Sequence, residues 1–312
     1  MSKDEALALR PHRGEVDYWR IRQFLREVLW LNGRRQRSWD VVRSDYWRWH
    51  VNENFLHLRP EEGIVLWETA DDQVAAMLQP EDPGHAFLQV HPAARTPGLE
   101  QEMLKVAEER LAHTAPDGRR SLHVWANADD PLRVDLLTRR GYTRDGNPEF
   151  QRRRAMDAPI LDAPPADGYR VRALGDREEL PSRGYASWRA FHPDEPDERF
   201  RGWEWYLYVQ RAPLYRRDLD IVATAHGGEC AAFCTVWFDD MPRSAVLEPA
   251  GTVPEHQRRG LGKAVMWEGL RPVRRLGATL ACVGSYGPAA HALYASVGFT
   301  EYDLLEPWLK VV

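Results

Sequence analysis

Cysteine is scarce: Cys230, Cys234 and Cys282 are the only three in 312 residues. The count is odd and no CxxC pair occurs, so neither a disulfide framework nor a zinc cluster is expected, and the thiols read as reduced. The eleven histidines fall into no HxxxH or HxE spacing, so no metal is inferred. Positive charge is not in excess. Lys and Arg sum to 42 against 47 Asp and Glu, a net charge of −5, which argues against nucleic acid as a partner. No run of about 18 apolar residues is present, so no membrane span is expected. The first sixteen residues carry charges and no apolar core, so no secretory signal is expected either. Together these absences read as a cytoplasmic protein.

What is present is length for two domains, with 43% hydrophobic residues to fill two cores. A Pro- and Ala-rich stretch at 155–168, AMDAPILDAPPADG, disfavours helix and strand alike. It predicts domains at 1–154 and 169–312 with a linker between them. The two halves repeat one order of features. A Trp-x-Trp segment, expected to be helical, comes first (Trp47/Trp49, Trp203/Trp205). Next comes a hairpin, Ile64–Leu78 and Ile221–Phe238, then a strand ending at Pro92 and at Pro254. A long amphipathic helix follows, Leu99–Ala112 and Leu261–Leu276. A further strand, Ser121–Asn127 and Thr279–Ser285, leads to a closing step, LLTRRGY and LYASVGF. Antiparallel hairpins mixed with helical crossovers predict an α+β fold with a mixed sheet in each half. The 13 tryptophans divide seven before the linker and six after it. Their recurrence at matching places points to packing in both copies.

The segment Pro254–Lys263, PEHQRRGLGK, carries the chemistry. Glycines let backbone N–H groups approach an anion, a helix start offers its positive end, and three cations stand nearby. The spacing is not that of an ATP-binding P-loop. Gln257-Arg258-Arg259-Gly260-Leu261-Gly262 resembles the Q/R-x-x-G-x-G/A signature of the GNAT superfamily of N-acetyltransferases. LYASVGF at Leu293–Phe299 resembles that superfamily's LYxxxGF. The resemblance implies two GNAT-like domains in tandem, each a mixed, mostly antiparallel sheet flanked by helices. It implies acetyl-CoA as acyl donor, with its pyrophosphate on Gln257, Arg258, Arg259, Gly260, Leu261, Gly262 and Lys263. Its pantetheine arm is expected against the backbone of Thr252 and Val253.

Glu248 is the only ionisable side chain in the strand before this loop. A partly desolvated carboxylate there can take a proton from a substrate ammonium, and the family commonly places its base on this strand. The resemblance makes Tyr294 the general acid toward the CoA thiolate. The family's asparagine seven residues earlier is Gly287 here. Trp203, Tyr208, Asp239 and Tyr286 are candidates for the acceptor pocket, with Trp205, Asp240 and Trp308 beside them. The first half departs from the signature: its loop reads Arg95-Thr96-Pro97-Gly98-Leu99-Glu100, and Leu137 stands in the place of Tyr294. Pro97 removes one N–H, and Glu100 is expected to face the anion's position. That half therefore reads as a degenerate copy. The sequence reading is an N-acetyltransferase acting on a primary amine of a small molecule, peptide or protein by direct transfer, as monomer or homodimer. A non-catalytic acyl-CoA sensor or interaction module is the alternative.

Overall fold

In a computed structural model that describes residues 6–312, the chain forms two compact units whose membership does not follow chain order throughout. Unit 1 takes the residues up to Trp47, Leu56–Gln151 and also Asp303–Val312. Unit 2 takes Arg152–Tyr302, which includes the 155–168 stretch, and borrows Arg48–Phe55 from the first half. The physical reason is strand pairing. A final strand reading from 301 onward has no local partner, and its alternating apolar residues pair wherever a sheet edge is open.

Unit 1 opens with β1 (Ala8–Pro11), α1 (Glu15–Leu31) and α2 (Val41–Tyr46). Trp47–Leu56 is a π-helical segment, followed by α3 (Pro60–Gly63). β2 (Val65–Glu68), β3 (Val74–Pro80) and β4 (His85–Val90) form a meander. Next come α4 (Pro97–Arg110), β5 (His113–Thr114), β6 (Arg120–Asn127), α5 (Pro131–Arg139) and β7 (Thr143–Arg144). β8 (Glu149–Ala155) closes the first half. Sheet neighbours in unit 1 run β1-β2-β3-β4-β6, and the chain's last strand follows β6. That strand pairs with β6 antiparallel, from Leu305↔Asn127 to Val311↔Ser121. β4 and β6 pair in parallel. Strand periodicity of two sorts the side chains. Ala86, Leu88 and Val90 join Leu122, Val124 and Ala126 in a core with Met103, Leu104 and Ala107 of α4. Phe87, Gln89, Trp125 and Asn127 therefore take the opposite face.

Unit 2 continues with β9 (Tyr169–Ala173), α6 (Leu180–Phe191) and α7 (Tyr206–Val209). β10 (Asp220–Ala225), β11 (Cys230–Asp239), β12 (Ser244–Thr252) and α8 (Leu261–Arg275) follow. β13 (Leu280–Ser285), α9 (Pro288–Ser296) and β14 (Glu301–Val311) end the chain, β14 being the strand shared into unit 1. The order β9-β10-β11-β12-β13 is antiparallel except for β12 with β13. α8 lies close on β11: a Cβ on Gly269 would come within 2.6 Å of Val236. The expected helix around Trp203 and Trp205 is absent. α7 begins only at Tyr206, after the αL-forming Gly202 (φ 103°). The mixed, helix-flanked sheet expected in each half is thus what the fold shows.

Candidate active site

In both units the strand before the long helix pairs with its parallel neighbour only at the start. β12 and β13 share three positions, ending at Val246↔Cys282. Beyond them the β13-side edge of β12 is left without that ladder, from Leu247 to Thr252. The other edge of β12 is irregular as well. Its register with β11 shifts between Cys234 and Val236, opposite the segment holding Glu248 and Pro249. A strand that leaves one neighbour and bulges against the other opens a gap in the sheet. Glu248 is half-buried at this gap, and its backbone carbonyl accepts a hydrogen bond from the Trp237 indole N–H.

α9 brings Tyr294 to the same place. The phenol is buried, 8% exposed, with its ring edge-on to Phe299. Burial, then the charge of Glu248 and then Cys234 push its hydroxyl above the usual tyrosine pKa. It is therefore a protonated donor at neutral pH. Tyr294 packs in one core with Leu247 of β12, the residue before Glu248, and Leu261 at the start of α8.

The loop between β12 and α8 is the second part. Val253 is buried and its N–H donates to Ala231 O. Arg258 (φ 62°) and Gly260 (φ 76°) both take left-handed backbone. Gly260 is the N-cap of α8 and puts no side chain over the helix start. Its role is conformational: a Cβ there would meet nothing within 4 Å, yet that φ strains other residues. Gly262 plays the other role. A Cβ there would approach Leu293 Cδ2 at 3.2 Å and Thr252 Oγ1 at 3.4 Å, so its absence lets the start of α8 pack closely on α9 and β12. Gln257, Arg258 and Arg259 are exposed beside this helix start, and Lys263 lies in its first turn. Arg259 leans over the Tyr169 ring. Gln257 Nε2 donates to Thr252 O at 3.3 Å. Uncapped helix N–H groups, a left-handed glycine and flanking cations suit a diphosphate.

Other sequence candidates are not gathered here. Asp239 is buried at the far end of β11, its carboxylate accepting from the Met241 N–H at 3.4 Å. It pairs with Ser244, four residues along β12 from Glu248, or about 13 Å at strand rise. Trp203 packs on Gly184 beneath the Arg177 guanidinium, and the Tyr208 ring lies under Arg211. Tyr286 is exposed at the β13–α9 turn. Trp308 belongs to the core of unit 1, because β14 pairs there.

Two clusters have no signature in the sequence. Asp220 accepts from Tyr215 Oη at 3.0 Å, Thr235 Oγ1 at 3.1 Å, Arg183 Nε at 3.3 Å and Tyr206 Oη. Tyr215 in turn stands edge-on to Trp237 at 5.9 Å, so this buried hub supports the residue that holds the Glu248 carbonyl. On the other side Arg152 Nε donates to Ser285 Oγ at 3.1 Å, and Ser285 Oγ lies 2.8 Å from His291 Nδ1. Desolvation and Arg152 hold His291 below its ordinary pKa. The only hint was a histidine on the helical face one turn before Tyr294.

The equivalent loop in unit 1 is closed by its own side chains. Thr96 Oγ1 accepts from Leu99 N–H at 3.2 Å and caps α4. Glu100 does not face outward as the sequence suggested. It is fully buried, paired with Arg133 (3.0 Å) and with Arg95. Burial alone would raise its pKa, but Arg133 and Arg95 outweigh that and hold it at about 2. β4 and β6 part after Ala86↔Val124, and Arg133 Nη1 donates to the freed Leu88 carbonyl at 3.0 Å. Among the described residues no helix is long and apolar enough to cross a membrane, and no group of three His, Cys, Asp or Glu is placed to hold a metal.

Residues 182–299 match the acetyltransferase (GNAT) family. The mycothiol acetyltransferase of Thermobispora bispora is 26% identical over 252 residues, covering 77% of this chain and 81% of that protein. That of Salinispora tropica is 29% identical over 234 residues, 69% of each chain. Among solved structures, a GCN5-related N-acetyltransferase from Sphaerobacter thermophilus superposes with a TM-score of 0.68 at 16% identity, covering 100% of this chain and 97% of that one. A tandem GNAT protein from the clavulanic acid biosynthesis pathway gives 0.67 at 16% identity, 98% of both chains. Whole-length likeness to a tandem protein accounts for two units of one fold, and the match over 182–299 places the family signature on the unit whose helix start is open. Residues 182–299 form an acetyltransferase (GNAT) domain, and the chain is an acyltransferase whose fold is that of two GNAT-like units in tandem.

Proposed function

We propose that unit 2 transfers an acetyl group from acetyl-CoA to a primary amine within one ternary complex. The observation that carries this reading is the sheet gap at Glu248, which runs toward an uncapped helix start beside the helix that bears Tyr294. The first turn of α8, with Arg258, Arg259 and Lys263, is suited to hold the pyrophosphate. The unladdered edge of β12, which ends at Thr252, is suited to the amide-bearing arm; Val253, expected there from the sequence, instead turns its N–H to Ala231 O on the β11 side. Glu248 takes a proton from the acceptor ammonium, directly or through water. The neutral amine attacks the thioester carbonyl, a C–N bond forms, the C–S bond breaks and the nitrogen releases its second proton to solvent. Tyr294 gives its proton to the departing thiolate and regains one from solvent.

Unit 1 is read as a degenerate copy, since Thr96 caps its helix and Arg133 fills its gap. The acceptor is a small-molecule amine in this reading, and the relatives named mycothiol acetyltransferase put mycothiol chemistry first among candidates. The test is an amine panel with acetyl-CoA, read by free-thiol release, on the parent and on Glu248→Gln and Tyr294→Phe. One accepted amine whose turnover collapses in both variants supports the assignment. Unchanged turnover in both variants removes it.

A further inference from the structure

β12 carries Glu248 at a bulge, and the bulge is held by side chains that acyl transfer itself does not use. Cys234 pairs with Ala250 and Val236 with Leu247, so Thr235 alone stands opposite two residues, Glu248 and Pro249. A bulge of this kind interrupts the ladder and re-aims the side chains beside it. The corresponding strands of unit 1, β3 and β4, pair from Ala76↔Val90 to Pro80↔Ala86 with no such shift. The bulge is thus a feature of the unit that carries the carboxylate, rather than of both copies.

Both sides of the bulge are anchored. On the β12 side the Trp237 indole N–H donates to the Glu248 carbonyl. On the β11 side Thr235 Oγ1 accepts from Arg183 Nη2 at 3.0 Å and donates to Asp220 Oδ1 at 3.1 Å. One carboxylate serves both anchors. Asp220 pairs directly with Thr235 across β10 and β11. It also accepts from Tyr215, whose ring stands edge-on to Trp237 at 5.9 Å. Periodicity of two puts Phe233, Thr235 and Trp237 on one face of β11, where the Arg183 guanidinium of α6 lies 3.9 Å from the centre of the Phe233 ring. Arg183, Asp220, Thr235 and Trp237 are all fully buried. An ion pair so buried is weak evidence for stability, because desolvation offsets its attraction. Its best-attested use is to fix one register over another, and the register in question here is that of the bulge.

We propose that Asp220 is a positioning residue: through Thr235 on one strand, and through Tyr215 and Trp237 toward the other, it holds the bulge that presents the Glu248 carboxylate at the sheet gap. This rests on the reading of Glu248 as the base. Loss of the bulge would shift the pairing on one side of it by one residue and turn those side chains to the opposite face.

The test uses the full chain with acetyl-CoA and the amine it turns over fastest. Asp220→Asn leaves Arg183 without its buried charge partner and need not fold. Thr235→Val and Trp237→Phe each remove one hydrogen-bonding group instead, and melting temperatures report that they fold. Each is expected to lower kcat on the order of 10–100-fold, the scale of a small misplacement of a reacting group, with acetyl-CoA affinity by calorimetry unchanged. Thr235→Ser, which returns the hydroxyl, should recover most of what Thr235→Val loses. In a Glu248→Gln background neither variant should cost anything more, since the group they position is gone. Independently of any amine, the carboxyl-carbon resonance of Glu248 in isotope-labelled protein, assigned by its loss in Glu248→Gln, should move in both variants. Collapse of turnover in Glu248→Gln, with parent-like kcat and an unmoved resonance in the folded Thr235→Val and Trp237→Phe proteins, would overturn this proposal and leave Glu248 as the base. So would losses that multiply in the double variants. Unchanged turnover in Glu248→Gln would remove the reading of Glu248 itself, and the positioning role with it.

Discussion

Two helix starts, α4 and α8, follow equivalent strands, yet one is sealed and the other open. At α8 the cap is Gly260, left-handed and without a side chain, and Gly262 lets the helix start lie close to Thr252 and Leu293. At α4 the cap is Thr96, whose hydroxyl takes the Leu99 N–H, and Glu100 replaces the second glycine. Glu100 then recruits Arg133, whose guanidinium lies in the strand gap on Leu88 O. At α4 the helix start and the strand gap are therefore satisfied internally, whereas the start of α8 has no side-chain cap. A few side chains supply from within what a ligand supplies from outside.

The comparison can be broken most forcefully on the catalytic side. Tyr294→Phe and Glu248→Gln are each expected to lower kcat on the order of 10²–10⁴-fold, the range for a lost proton-transfer group. Acetyl-CoA affinity, measured by calorimetry, should stay near the parent value. Equal losses from Leu137→Ala would put chemistry in unit 1 as well. Next in size is Glu100→Gln, which leaves Arg133 buried without its charge partner and should destabilise unit 1 by about 3–5 kcal/mol in urea unfolding.

The same carboxylate sets a pH dependence. Its folded pKa lies near 2, below its ordinary 4.5. Its contribution is therefore complete above the unfolded pKa and is lost as pH falls from about 4.5 toward 2. Melting temperatures across that window should fall more steeply for the parent than for Glu100→Gln. A smaller effect, on binding only, is expected from Gly262→Val, which should raise the acetyl-CoA Kd roughly 100-fold, while Gly98→Ala leaves it unchanged. Smallest is Thr96→Ala, about 1 kcal/mol of stability for a lost cap, read by thermal denaturation.

Much of this was legible in the residues. The hairpins, the long helices and the repeat order are local patterns, and β9 to β13 fall where apolar alternation put them. The loop glycines were legible too, though their division of labour was not. Gly260 answers a backbone angle and Gly262 a neighbour 31 residues away in Leu293. What escaped was non-local. Glu100 read as an outward anion because Arg133 lies 33 residues on. Trp308 read as an acceptor candidate because nothing in a strand's period-2 pattern names its partner. Asp239 read as a site residue because an acidic pair with Asp240 suits a cationic amine, whereas the strand pairing puts it opposite Ser244 and away from Glu248. The Asp220 hub and the Arg152–Ser285–His291 chain unite residues from separate elements, and no spacing announces such clusters.

The membership of Asp303–Val312 in unit 1 bears on the order of events at the ribosome. Domains generally fold as they emerge, amino-terminal first. Here the first unit cannot complete its sheet until translation has passed residues 303–312, since β6 waits for β14. Unit 2, whose strands β9 to β13 pair among themselves, has its set of strands earlier. Biogenesis of this chain is thus expected to run backward, with the part synthesised first the last to close.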